Sequence, residues 1–302
     1  MTTLPAALEN LRGTIGIWTF AHELVAPKES AAITQFAATC GFSGYWYPEA
    51  YGREAFTNAG LLLAGSNAIV VGSSIASIWG RDAMAAANGA RTLTAAFGDR
   101  FVLGLGVSHK PLVESIRGHD YVNPLTAMSA YLDAVNEATM FAPEASERAP
   151  RLIAALGPRM LSIAAEKADG AMPYLVTPEH TVLARQTLGD GPFLVVEQAV
   201  ALTDDEHDFR ARAAQHLERY TSLPNYQNNW RRLGFTDEDF IPGGSARLQD
   251  ALVVRGDEEA IQDQIDAHRS AGADHVALQI LGSDPMALPE DDWRRVGALV
   301  QS

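Results

Sequence analysis

Between Ala68 and His109 an apolar run, Ala68-Ile-Val-Val-Gly-Ser-Ser-Ile75, leads through Arg81 and an alanine-rich segment into Gly98-Asp-Arg-Phe-Val-Leu-Gly-Leu-Gly-Val-Ser-His109. Neither apolar run alternates with polar residues, the pattern of parallel strands buried on both faces, and Ala83, Ala86, Ala87, Ala90 and Leu93 recur between them at helical spacing. The unit reads as strand, helix, strand. Small and polar residues gather just past each strand's carboxyl end, which is where parallel α/β architectures place their chemistry.

The same alternation continues along the chain. Strands are predicted near Gly13–Trp18, Gly44–Tyr47, Ile69–Ile75, Phe101–Leu105, Arg151–Leu156, Gly170–Pro173, Phe193–Leu202 and His275–Leu281. Helices are predicted over Pro27–Cys40, Arg53–Ala64, Arg81–Phe97, Pro124–Phe141, Pro158–Ala168, Pro178–Leu188, Asp204–Thr221, Asp257–Ala271 and Asp291–Val300. Eight strand-helix units in one chain predict a (β/α)8 TIM barrel, a single domain over residues 1–302. Cys40-Gly41, Asp169-Gly170 and Ala271-Gly272 each end a helix and restart an apolar run, as barrel joints do. Two stretches exceed a minimal barrel: Ser108–Asn123 after the fourth strand and Ser222–Arg255 after the seventh helix. The second holds Asn225-Tyr-Gln-Asn-Asn-Trp-Arg-Arg-Leu-Gly-Phe235, too aromatic for a plain linker, and is expected to be an ordered lid or a subunit contact.

Composition narrows the partners. At 302 residues and 47% hydrophobic content the chain can bury one large core, and a formal net charge of −14 repels nucleic acid and anionic membrane. The single cysteine, Cys40, has no internal disulfide partner, and no apolar run reaches the ~18 residues of a membrane span. A cytoplasmic protein with a small-molecule substrate is expected. No cluster of His, Cys or carboxylates has metal-ligand spacing.

Three segments in this order and spacing, Gly72-Ser-Ser-Ile75 with Arg81, Gly98-Asp-Arg-Phe-Val-Leu-Gly-Leu-Gly106, and Ala154-Ala-Leu-Gly-Pro-Arg-Met160 with Ala168-Asp-Gly-Ala171, carry a family resemblance. The chain resembles the luciferase-like oxidoreductases, TIM barrels that use a flavin or the deazaflavin coenzyme F420, and within them the F420 branch. The resemblance extends from Gly13 to Leu281. It implies hydride transfer between C5 of the deazaflavin and a small organic substrate, in an enzyme expected to be a homodimer. The alternative is FMN in the same pocket, a monooxygenase using oxygen and a separate reductase. A second alternative is a cofactor-binding barrel without redox chemistry.

The resemblance also implies site residues. A flat ring needs small strand ends beneath it, which Gly72, Ser73, Ser74, Ile75, Gly104, Gly106 and Val107 would supply, with a non-prolyl cis peptide at Ser74-Ile75. Gly157-Pro158-Arg159 opens a helix after a strand, so its first-turn amides and Arg159 suit a phosphate; Arg81 and Lys110 extend the basic strip. Glu49 keeps the acidic residue that relatives place against the cofactor, whereas Ala50 stands where they hold a histidine. Proton exchange is therefore expected from His109, past the fourth strand, or His22, past the first. Trp18, Trp46 and Trp79 are expected to wall a substrate pocket, His180 to start a helix, and His207, His216 and His268 to lie on exposed helical faces.

Overall fold

The computed structural model describes residues 4–143 and 148–299. Its strands are β1 (Ile15–Trp18), β2 (Gly44–Tyr47), β3 (Val70–Ser73), β4 (Ala76–Ser77), β5 (Phe101–Gly106), β6 (Arg151–Ile153), β7 (Gly170–Ala171), β8 (Phe193–Ala201), β9 (Val253–Arg255) and β10 (His275–Ile280). Every pairing is parallel, and β1, β2, β3, β5, β6, β7, β8 and β10 pair in succession until β10 returns to β1. The result is the closed eight-stranded TIM barrel the sequence predicts.

The third strand differs from its expected form. Instead of running unbroken over Ile69–Ile75, β3 stops at Ser73, the Ser74-Ile75 peptide is cis, and β4 resumes against Leu105 and Gly106 of β5. The strand end is thereby turned toward the barrel mouth. Beneath it the interior is filled by Trp46, which is fully buried, and by glycines that make room for it. A Cβ on Gly72 would lie 2.3 Å from the Trp46 ring, and one on Gly16 or Gly44 would strike Trp46 or His275. Ala7, Leu8 and Leu11 close the floor from the short helix Ala6–Glu9 and the turn after it, elements the sequence reading did not anticipate.

Helix ends follow local chemistry. Gly41, at φ 101°, caps Ser30–Cys40, and Gly272, at φ 104°, follows the end of Glu258–Ser270. The expected helix Pro124–Phe141 ends at Glu137, where Ala138 turns extended and leaves Phe141 on the surface; Val300, the expected end of the last helix, lies outside the described residues. The long segment after the seventh barrel strand is ordered. It forms the helices Pro224–Arg232 and Ala246–Leu252 and then β9, which pairs with β8, and it packs Tyr226, Trp230 and Phe235 against Leu175 and Leu217. No helix among the described residues is long and apolar enough to cross a membrane.

Candidate functional site

The carboxyl ends of the barrel strands surround one cavity of about 1660 Å³. That exceeds the roughly 300–1,000 Å³ of a pocket for one drug-sized ligand, so it has space for an extended cofactor and a substrate together. Its floor is the kinked end of β3, where Ser74 and Ile75 face Gly106 and Val107 from β5. A Cβ on Gly106 would approach Ile75 to 2.4 Å, so only glycine lets Ile75 lie flat here. Trp18 joins this floor from β1, its Nε1 donating to Ser74 Oγ at 2.9 Å.

One flank is built for an anion. Gly157 caps the helix Pro158–Lys167 without any side-chain hydrogen bond, which leaves first-turn amides to a ligand. Arg159 is exposed beside it, and Arg232, reaching over from the lid helix, donates to Leu156 O and Asn229 Oδ1. Lys110 and Arg219 line the same cavity, the latter lying over the Tyr51 ring.

Other expected residues are placed differently. Gly72 serves Trp46 rather than a cofactor, and Ser73 is buried with its hydroxyl donating to Gly104 O and accepting from Gly104 N–H. Trp46 lies in the barrel interior with its Nε1 donating to His275, and Trp79 turns its Nε1 to Val107 O; neither lines the cavity, so Trp18 alone of the three walls it. Arg81 belongs to an ion pair with Glu49 and Glu54 instead of the basic strip. Glu49 touches the cavity, but its Oε2 accepts from Ser77 N–H, and its Oε1 from Ala55 N–H and Arg81, so the protein itself occupies both oxygens.

The two candidate histidines separate. His22 is wholly buried against Tyr45 and Tyr47 with Nδ1 3.2 Å from the Tyr45 hydroxyl, and burial lowers its pKa; it does not line the cavity and is a core residue. His109 does line it, packed against Tyr226 of the lid. Burial, aided by the charge of Arg219 and opposed by a bond to Asn225, pulls its pKa down to about 4, so at neutral pH it is a neutral imidazole and no store of protons. His180 bonds Leu156 O, and His268 is buried rather than surface-facing. His216, expected on an exposed face, instead reaches the cavity, with Nε2 buried beside Tyr174 and Tyr220 and without a partner among the described residues.

The residues that sequence reading missed are those contributed by distant segments. Tyr174, just past β7, Tyr220, from the turn Tyr220–Ser222, and Gln279, on β10, form a hydrogen-bonded wall. Below them Glu197 is enclosed on β8, and burial pushes its carboxyl up to about 8 against the opposing bond from Leu175 N–H. The aromatic run at Asn225–Phe235 was the available signal for the lid. None pointed to Glu197.

The fold is shared with known proteins. A Mycobacterium tuberculosis protein named as a coenzyme F420-dependent oxidoreductase is 24% identical, over 82% of this chain and 89% of its own length. The solved structure of an F420-dependent secondary alcohol dehydrogenase, in complex with an F420-acetone adduct, superposes with a TM-score of 0.73 at 12% identity, covering 96% of this chain and 98% of that one. EDTA monooxygenase from Chelativorans sp. superposes with a TM-score of 0.72 at 11% identity, covering 96% and 93%. The sequence profile of the luciferase-like monooxygenases matches residues 13–275, which takes in seven of the eight barrel strands and the first residue of the last, and the chain belongs to that family.

Proposed function

We propose that this chain is a coenzyme F420-dependent oxidoreductase that moves a hydride between C5 of the deazaflavin and a small organic substrate. The observation that carries this reading is the gathering of Lys110, Arg159, Arg219 and Arg232 around one cavity in a chain of net charge −14. A lone phosphate would leave much of that strip without a partner, whereas a cofactor with a phosphate and a further anionic tail would use it along its length. The resemblance to the mycobacterial F420-dependent protein supports the same choice.

The residues present fit the group. An uncapped helix start at Gly157 suits the phosphate, and the narrow floor of Ser74, Ile75, Gly106 and Val107 suits a planar ring. When bound, the deazaflavin would supply a two-electron carrier that reacts by hydride transfer. The chain's own part is to bind and to orient. Trp18, tied to Ser74, would hold substrate against the ring, and the lid helix Pro224–Arg232 would keep water from the reacting atoms.

Titration of the purified protein with F420 and with FMN, read by absorbance and fluorescence, distinguishes the readings. F420 is expected to bind more tightly, with an affinity that falls as salt is raised. Preference for FMN would overturn the proposal in favour of an oxygen-using flavoenzyme. Arg159→Glu is expected to weaken F420 binding by ~10-fold or more through loss of a charge-assisted contact, while stability changes by only about 0.5 kcal/mol because the side chain is exposed. Unchanged F420 affinity in that variant would remove Arg159 from the phosphate site.

A further inference from the structure

The wall formed by Tyr174, Tyr220 and Gln279 has no part in holding the cofactor as argued above. Tyr220 Oη donates to Tyr174 Oη at 3.3 Å, and Tyr174 Oη donates to Gln279 Oε1 at 2.8 Å. All three line the cavity. The Tyr174 ring rests on Trp18 at 5.1 Å, and Trp18 in turn donates to Ser74, so the hydroxyls are tied through one indole to the floor on which the ring would lie.

Beneath this wall lies Glu197. On β10, Ala277 and Gln279 share a face; Ala277 is opposite Glu197 and Gln279 opposite Ala199, so Glu197 sits one layer below the hydroxyls. Its Oε2 accepts from Leu175 N–H at 3.0 Å, its Oε1 is buried without a partner, and no cation pairs with it among the described residues. A carboxylate so placed would be desolvated with a single hydrogen bond, and the group therefore stays neutral at pH 7. The titratable groups facing it are the phenols of Tyr174, Tyr220 and Tyr226, and on β10 the imidazole of His275, which burial holds neutral; the other β10 side chains are uncharged.

We propose that Tyr174 binds and protonates the substrate oxygen, and that the substrate is a carbonyl compound, an aldehyde or ketone interconverted with its alcohol. The proposal rests on the hydride-transfer reading above. In the reducing direction the Tyr174 hydroxyl turns its proton from Gln279 Oε1 to the substrate, the carbonyl carbon gains a hydride from reduced F420, the C–O π pair moves onto oxygen, and that oxygen takes the proton of Tyr174 Oη. The phenolate recovers a proton from solvent through the Tyr220 hydroxyl. Oxidation of the alcohol is the reverse. Glu197 acts as a positioning residue, since its neutral form keeps negative charge away from a phenol that must carry it briefly.

An iminium substrate is disfavoured because the wall of Tyr174, Tyr220 and Gln279 offers it no counter-charge. Glu23 accepts from Arg53 N–H, Glu49 is paired with Arg81, and Asp284 accepts from Met286 N–H at the exposed rim, while Arg219 places positive charge near Tyr220 and Tyr226. An alkene carbon offers no lone pair to a phenol donor. A carbonyl oxygen accepts from one directly.

The test uses acetophenone labelled with carbon-13 at the carbonyl, benzaldehyde and cyclohexanone as probes. Difference infrared spectra of the protein with labelled acetophenone should show the carbonyl stretch at lower wavenumber than in water, a shift absent in Tyr174→Phe, which keeps the ring against Trp18 and removes only the hydroxyl. With F420 bound equally by both proteins, Tyr174→Phe is expected to lower kcat for the probes by ~10²–10⁴-fold with little change in KM. Glu197→Gln should lose the decline in kcat that wild type shows as pH rises past 8, because the amide cannot ionise. Should Tyr174→Phe not fold, Tyr220→Phe is expected to lower kcat by ~10-fold and weaken the infrared shift. A wild-type protein that binds F420 and reduces none of the probes, or a Tyr174→Phe variant of undiminished rate, overturns the proposal. Failure of wild type to bind F420, with the infrared shift intact, would instead refute the cofactor reading.

Discussion

Acidification from pH 6.5 towards 4 is expected to remove several kcal/mol of stability, because histidines held neutral in the interior must take up protons in the unfolded chain. His275 shows the cause. Its Nδ1 lies 3.1 Å from Leu11 O and its Nε2 accepts from Trp46 Nε1 at 3.1 Å. An indole only donates, so a proton on Nε2 would set one N–H against another, and burial adds to the resistance; the pKa falls to about 4. His268, bonded between Thr181 and Gln198, is likewise pulled by burial to about 4.

Above pH 6.5 both states are neutral and these groups contribute nothing to the pH dependence. Between 6.5 and 4 the unfolded chain binds protons that the native protein refuses, so unfolding becomes easier by about 1.4 kcal/mol per pH unit for each, or about 3 kcal/mol each by pH 4. Glu197 runs the other way. Its folded pKa, about 8, lies above its unfolded value, so it favours the native state fully below about pH 4.5 and loses that contribution as pH rises to 8, which offsets about one histidine's slope. His109 and His216, also pulled to about 4 by burial, tip the balance to acid destabilisation. Urea unfolding followed by tryptophan fluorescence at successive pH values checks this. A free energy that stays level from pH 6.5 to 4.5 would show that the interior histidines protonate in place.

The barrel was legible because its signals are local. Apolar runs without alternation, and glycines such as Gly41 and Gly272 at positive φ, mark strand and helix ends whatever the rest of the chain does. Helix Pro178–Leu188 has both expected ends for that reason, with Pro at its start and Gly189 past its finish. Residue roles depend on what other strands bring, and there the sequence is ambiguous. Gly72 reads equally as a platform for a ligand or as room for a side chain, and only the closure of the barrel places the Trp46 ring against it. His22 and His109 both follow strands, but Tyr45 and Tyr47 shut the first away while the second faces the cavity. The wall of Tyr174, Tyr220 and Gln279 joins positions up to 105 residues apart, a separation no local pattern records.

Arg81→Met is expected to destabilise the protein by about 3–5 kcal/mol, the cost of leaving one partner of a buried ion pair alone. The Arg81 and Glu49 side chains are only 9% and 4% exposed, and the exposed Glu54 adds a second contact at 3.0 Å. Without the guanidinium, Glu49 keeps the amides of Ser77 at 2.8 Å and Ala55 at 3.2 Å but loses its counter-charge in a largely buried position. Arg81 also lies over the Phe56 ring at 5.1 Å and donates to Ser77 O, contacts that a methionine stem replaces only in part. Because Ser77 belongs to β4, directly after the Ser74-Ile75 turn, the loosening should reach the cavity floor and weaken cofactor binding as well. A double-mutant cycle separates charge from packing. Arg81→Met combined with Glu49→Gln should recover part of the lost stability, since no buried charge is then left unpaired, whereas Arg81→Lys, which keeps a cation for the carboxylates but lacks the second nitrogen that reaches Ser77 O, should fall between wild type and Arg81→Met. If Arg81→Met costs under about 1 kcal/mol, as an exposed surface pair would, the Glu49 carboxylate must have water or another donor within reach, and its role in bracing the strand end would be lost.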